Sequence, residues 1–480
     1  MTPVHTMRKA EGFSLIELMI AMVLGILLSI GLVTVFAATN KTNRVDEALS
    51  RIQENGRYAI TRLNSDLREV ARQTYAVSGY FVPPTKGGAP VAPTAGTMPD
   101  GILNASIAPT VYVTQVPPTG TFPDMQTAIS RPTNWPANTP WPLTPRNFIQ
   151  GYECSTSACT PTVPTTGTPP IPDMAAANLK RVPNSDVLTV RYLDSDGWSL
   201  FRGELQPNTT ASVPGACTGG PLLDISVTPS AGAYPSPALN FATGDLALLV
   251  VGSSAYLFQV SVSGSVLKPI NVLGGNVPCV SGASSSGTTG TEATLYNFSK
   301  DFVTVTYYLQ YDTDPADTKR LIPSLYRRKS DSHVGDAPTT EQVAQGLEQL
   351  NFLFGIAQTD SKVAYMTADL ISGASTATTC PPEPSLYATT QQSNGTIAQV
   401  EPACLWGGVK SIETHLLADT INNMYDLTNP DMAYIYSDGV TVTTYDGQSA
   451  PPAKQPSGIN FGNMLRREFV SLNSVRNYNP

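Results

Sequence analysis

Residues 11–40 read EGFSLIELMIAMVLGILLSIGLVTVFAATN, and one letter breaks their pattern. From Leu18 to Thr39 there are 22 residues without a charge. At ~1.5 Å per residue they form a helix of roughly 33 Å, enough to cross a hydrocarbon core. Glu17 stands at the mouth of that run. An isolated carboxylate inside a bilayer is costly and marks a function by default, unless it snorkels to headgroups one turn away. Arg8 and Lys9 precede the run, and positive charge there holds the short leader in the cytoplasm and sends the rest across. An ordinary secretory signal has an apolar core of about 7–15 residues, shorter than this one. Its cleavage site would fall near Ala37–Ala38.

Working outward, the helical pattern continues past the span. Apolar or small residues recur at Val45, Leu49, Ile52, Gly56, Ala59, Leu63, Leu67 and Val70, steps of three or four that trace one face of a helix. Arg44, Asp46, Glu47, Arg51, Glu54, Arg57, Arg62, Asp66, Arg68 and Glu69 fall between them and read as a solvated face. No proline lies between Pro3 and Pro83, so nothing forces a break. The pattern predicts one helix of about 60 residues, roughly 90 Å long, greasy all round in its first half and amphipathic in its second.

A short basic leader ending in Gly12, then Phe13, then Glu17 four residues on and a long half-apolar helix resembles the type IV prepilin class. That class comprises pilins and the pseudopilins of type II secretion. The resemblance implies cleavage between Gly12 and Phe13 by a membrane aspartyl peptidase, with Phe13 becoming the N-methylated first residue. It implies that Glu17 meets the cationic N-terminus of a neighbouring subunit during assembly. Pairing would remove the penalty of a buried charge only when a partner is present.

About 400 residues follow the helix, far more than a major pilin needs. QENGRYAITRLNSDLR (53–68) is similar to the corresponding helix segment of the PilW family of minor pilins. SDVLTVRYL (185–193), GDLALLVV (244–251), SLYRR (324–328), EQVAQGLEQLNFLFGI (341–356) and LRREFVSLNSVRN (465–477) resemble that family's later elements in order. The resemblance implies a structural, non-catalytic minor pilin that takes part in pilus assembly or priming, at or near the tip. Its implied partners are other minor and major pilins, the prepilin peptidase and a large tip adhesin. It would sit in the inner membrane with its head in the periplasm, and at the cell surface once assembled. Two alternatives stay open: a J-type pseudopilin of a type II secretion system, and a membrane-anchored extracellular ligand-binding domain.

The expected fold class is α+β, a long N-terminal helix spine packed on an antiparallel β-rich head. Expected segments are 1–12 leader, 13–39 transmembrane half, 40–74 amphipathic half, 75–180 Pro-rich surface elaboration and 181–480 head. Residues 82–175 hold 19 of the 41 prolines, which excludes central strands through most of that stretch. A short strand is expected at 110–116, and Trp135 and Trp141 lie nearby. Further strands are read at 186–193, 246–251, 257–262, 302–311 and 325–328, the last two flanking the turn residues DTDPADTK. Glu341–Asn351 reads as a short helix capped by Thr340.

Six cysteines, Cys154, Cys159, Cys217, Cys279, Cys380 and Cys404, all follow the span and include no Cys-x-x-Cys pair. They suit disulfides in an oxidising compartment, and 15 pairings are possible. Neighbours in order (154–159, 217–279, 380–404) are the expectation.

The net charge of −8 argues against direct nucleic-acid binding. No phosphate loop, His-Glu-x-x-His or nucleophile elbow is present, and no cofactor or metal is implied. His415 reads as a residue on a strand face. The Asp194/Asp196 and Asp312/Asp314/Asp317 groups read as hairpin turns more readily than as calcium loops.

Overall fold

The computed structural model describes residues 14–70, 111–113, 141–142, 148–164, 171–174, 181–195, 197–200, 205–207, 223–226, 240–251, 254–270, 293–314, 320–330, 339–357, 363–373, 406, 409–424, 427–446 and 463–475. One unbroken helix, α1 (Leu15–Glu69), supplies the spine. Its first half is bare on every side, with Leu15 through Phe36 more than half exposed at each large apolar residue. Its second half buries Ile52, Gly56, Ala59, Leu63, Asp66 and Leu67.

Two antiparallel sheets receive that second half. The first has six strands: β1 (Ile149–Cys154), β2 (Cys159–Thr160), β3 (Val187–Leu193), β4 (Phe302–Thr313), β5 (Leu321–Lys329) and β6 (Thr339–Gln345). Their spatial order is β6-β5-β4-β3-β1-β2. The second contains β7 (Leu347–Ala357), β8 (Val363–Met366), β9 (Val409–Asp419) and β12 (Arg466–Ser474), ordered β8-β7-β9-β12. A hairpin of β10 (Tyr434–Ser437) and β11 (Val442–Tyr445) covers the outer face of that sheet. Tyr434 and Tyr436 pack there on Leu417, and the Tyr436 hydroxyl donates to Asn351 Oδ1 at 2.7 Å.

A nine-stranded sheet built mostly from residues 198–297 has its own small core around Phe241, Leu249, Phe258 and Leu295. Val111–Val113 joins it parallel to Ser254–Ser263, where a short strand is predicted. Of the stretch expected on the surface, Ile149–Cys154 lies inside the six-stranded sheet with Ile149 and Tyr152 buried. Cys154 and Cys159 face each other across β1 and β2 and form a disulfide. The other four cysteines and Trp135 lie outside the described residues.

The short helix predicted at Glu341–Asn351 is two strands, β6 and β7, joined at Gly346 with φ of +72°. That left-handed corner suits glycine and stops a helix. The helix-like spacing has a specific cause. A bulge between Leu347 and Gln349 puts Leu347 and Leu350 on one face although they are three apart. Phe352, Phe354 and Ile356 then continue that face at the period of a strand.

Candidate functional site: a bare span locked to its head

Gly12 and Phe13, the expected processing junction, lie outside the described residues. Glu17 is placed in the first turn of α1, where the Ser14 backbone N–H donates to its Oε2 at 3.1 Å. A carboxylate there occupies the third position of a capping box and meets the positive end of the helix dipole. The residue that looked anomalous inside an apolar run therefore satisfies its own helix terminus. Above it, Ser29, Thr34 and Thr39 return their hydroxyls to carbonyls of the preceding turn, leaving no polar side chain between Leu18 and Thr39 without a partner. The span offers its surroundings hydrocarbon on all sides.

Contact with the head begins two residues past the span. Lys41 Nζ lies 3.9 Å from Asp431, which sits in the turn of 3₁₀ helix at Asn429–Met432. Further up, Asn55 donates to the Gln345 carbonyl at 3.1 Å, and Arg62 pairs with Glu341 at 3.3 Å, so the helix covers the free edge of β6. Gly56 is where helix and sheet come closest. A Cβ there would sit 2.4 Å from the ring of Phe469 on β12, so only glycine permits this approach.

Asp66 closes the joint. It is 3% exposed, whereas the charge pattern of the sequence places it with the solvated residues. Arg327 on β5 reaches it in a fork, Nε to Oδ2 at 2.6 Å and Nη2 to Oδ1 at 3.1 Å. The hydroxyls of Tyr307 on β4 and Tyr192 on β3 donate to the same carboxylate. Burial pushes the Asp66 carboxyl upward, but the hydrogen bonds and charge of Arg327, with both tyrosines, hold it below the ordinary carboxylate range. One helix side chain thus ties three adjacent strands to the spine. Its signal in the sequence was its place in the stripe 52-56-59-63-66-70, where a charge is out of character.

The far end of the head carries a second buried fork. Arg466 on β12 meets Glu348 on β7 at 2.6 and 2.9 Å. Asp419 lies beside it, its carboxyl pushed well up by burial and by the Glu348 charge. His415 sits on a strand face as predicted and bridges Glu468 at 2.8 Å and Glu413 at 3.1 Å. Glu468 in turn accepts from the Ser437 N–H at 3.3 Å, which ties in the outer hairpin. The acidic turn groups have protein partners too: Asp194 with Lys329, Asp314 with Arg320, and Asp312 with Tyr326 and Gln342. Asp196 and Asp317 lie outside the described residues.

Comparison with known proteins matches the two ends of the chain separately. Residues 7–33 match the prokaryotic N-terminal methylation motif, covering the second half of the expected leader and most of the bare span. Residues 306–477 match the family described as type IV pilus-assembly protein W, running from β4 to just past β12 and including Arg327, Glu348 and Arg466. No curated protein and no solved structure matches the chain. The motif and the bare helix fit a membrane-anchored pilin that is assembled into the pilus. Together these findings support a type IV pilus minor pilin of the PilW family.

Proposed function

We propose that the chain is a structural subunit that helps prime pilus assembly and resides at or near the tip. The observation that carries this reading is the division of α1. Its 22-residue uncharged run is apolar and exposed, while its second half is locked to a large head. A helix of that kind has two successive environments: lipid before assembly, and the helices of other subunits afterwards. In this reading the inner membrane holds the subunit with its head in the periplasm, until other minor and major pilins engage the span. A head of this size would fit at an end of a filament, where neighbours do not crowd it.

Processing is the first step. The prepilin peptidase cuts between Gly12 and Phe13, and methylation of the Phe13 amine follows. Glu17, one turn into the helix, then offers its charge to the N-terminus of an adjoining subunit. Intact-mass analysis of protein purified from membranes of cells carrying the peptidase tests this. The expected species begins at methylated Phe13, having lost residues 1–12. A mature chain starting near Ala38 would overturn the reading.

A further inference from the structure

The geometry points to the open edge of β12, with the flank of α1 beside it, as the docking surface for the acidic strand edge of a different pilin subunit. This inference rests on the pilin reading above and names the face through which the subunit meets its neighbour.

Edge strands need management, because their unpaired backbone groups invite another strand. The two sheets that receive α1 have four edges. The edge of β6 lies under α1. β2 is two residues long and closed by a disulfide, and β8 has four residues. β12 has nine residues, pairs only with β9 among the described residues, and has no helix over its second edge. Its outward side chains Val470 and Leu472 are 55% and 60% exposed. Among the described residues that is a long, apolar, uncovered edge.

The other face of β12 lies on the spine. Phe469 meets Gly56, and Asn64 bonds Ser471 at 3.0 Å and Asn473 at 2.6 Å. Arg57, Ile60, Asn64 and Arg68 follow one another at helical spacing, so they share the flank that borders β12. Arg467 alternates with Phe469 and Ser471 on the strand itself. Arg57, Arg68 and Arg467 are exposed and have no carboxylate partner among the described residues. In a chain of net charge −8, three unpaired arginines around one open edge form a local basic rim. The complementary partner is acidic.

The direction of β12 sets the kind of occupant. The strand runs beside α1 from the level of Gly56 to that of Asn64, so whatever pairs with it lies along the spine. The bare half of the same helix requires company in a filament, and a neighbour with a parallel spine brings its own head to this level. A second copy docked face to face would set these arginines against one another, which like charges oppose.

The test uses the full chain in pilus-bearing cells. A photo-crosslinking amino acid replaces Leu472, Arg57 or, as a control on the far edge of the sheet, Val363. Adducts are identified by mass spectrometry. Positions 472 and 57 should capture a different pilin subunit at an Asp- or Glu-rich segment, and position 363 should not. Adducts to this chain itself, to lipid alone, or only at 363 would overturn the proposal. In parallel, R57E/R467E should lower recovery in sheared pili about tenfold, the effect of ~1.4 kcal/mol at an interface, with mature protein in membranes and its melting temperature unchanged. Wild-type recovery of R57E/R467E refutes the surface while leaving the pilin reading in place. Absence of the wild-type chain from pili refutes both.

Discussion

Asp66 shows how much of the joint depends on one side chain. Its carboxylate is buried with Arg327, each side chain no more than 6% exposed, and removing one partner strands the other. Asp66→Ala should therefore destabilise the docking of helix and head by about 3–5 kcal/mol. Asp66→Leu combined with Arg327→Met removes both charges and should lose much less than the single changes sum to, since Tyr307 keeps the Arg62 carbonyl as acceptor and only the Tyr192 hydroxyl loses its partner. Denaturant unfolding of the wild type, Asp66→Leu, Arg327→Met and the double variant checks this, and additive losses would mean the fork contributes nothing as a pair. The pH dependence has a definite sign. A folded pKa below the ordinary value contributes stability that is present at neutral pH and above the unfolded pKa of about 3.9. That contribution disappears as pH falls through the depressed folded value. Acid should loosen this joint, and the double variant should lack that part of the acid slope. The charge pattern of residues 53–68 hid the pair because Arg327 lies 261 positions away. A single helix stripe shows which residue is anomalous and cannot show what compensates it.

At the scale of elements, α1 was legible almost to its ends because a period of three to four, an uncharged run and the absence of proline all agree. The corner between β6 and β7 was not, since a bulge copied helical spacing and polar residues stood at buried positions. Glu348, Gln349 and Asn351 are all nearly buried, held by Arg466, the Asn184 carbonyl and Tyr436 from other elements. Local pattern reads such residues as a wet helix face. The start of α1 raises the opposite issue, a residue with two readings that both fit. Glu17 caps its own helix through the Ser14 N–H, and in the assembly reading it also offers a charge. Two substitutions separate these roles. Glu17→Gln keeps an acceptor for Ser14 and loses the charge, whereas Glu17→Leu loses both. Both proteins should be processed and remain in the membrane, since the Gly12–Phe13 junction is untouched. If charge pairing drives assembly, both should enter sheared pili poorly and to a similar degree. Entry of Glu17→Gln at wild-type levels, with only Glu17→Leu impaired, would leave Glu17 as a helix cap.

The whole molecule divides at Lys41 rather than at a linker. Below that residue α1 is exposed throughout, and from Ile52 onward one face of the helix is part of the head's core. Anchor and fold are therefore energetically separate although they share one continuous helix. A chain beginning at residue 40 should be soluble, and its melting temperature should lie within about 2 °C of the full chain in detergent, a difference of under ~1 kcal/mol. A chain beginning at residue 72 loses Ile52, Leu63, Leu67 and Val70 from the core and leaves Arg327 without its carboxylate. Four apolar side chains at about 1.5–3 kcal/mol each, with an uncompensated buried charge, amount to the whole stability of an ordinary domain of roughly 5–15 kcal/mol. That chain should not fold. Thermal melts of the two truncations, read beside the full chain, decide the matter. A chain from residue 40 that aggregated or melted far below the full protein would show that the bare span supports the head. Cooperative melting of the chain from residue 72 would show that the helix is cargo instead of core.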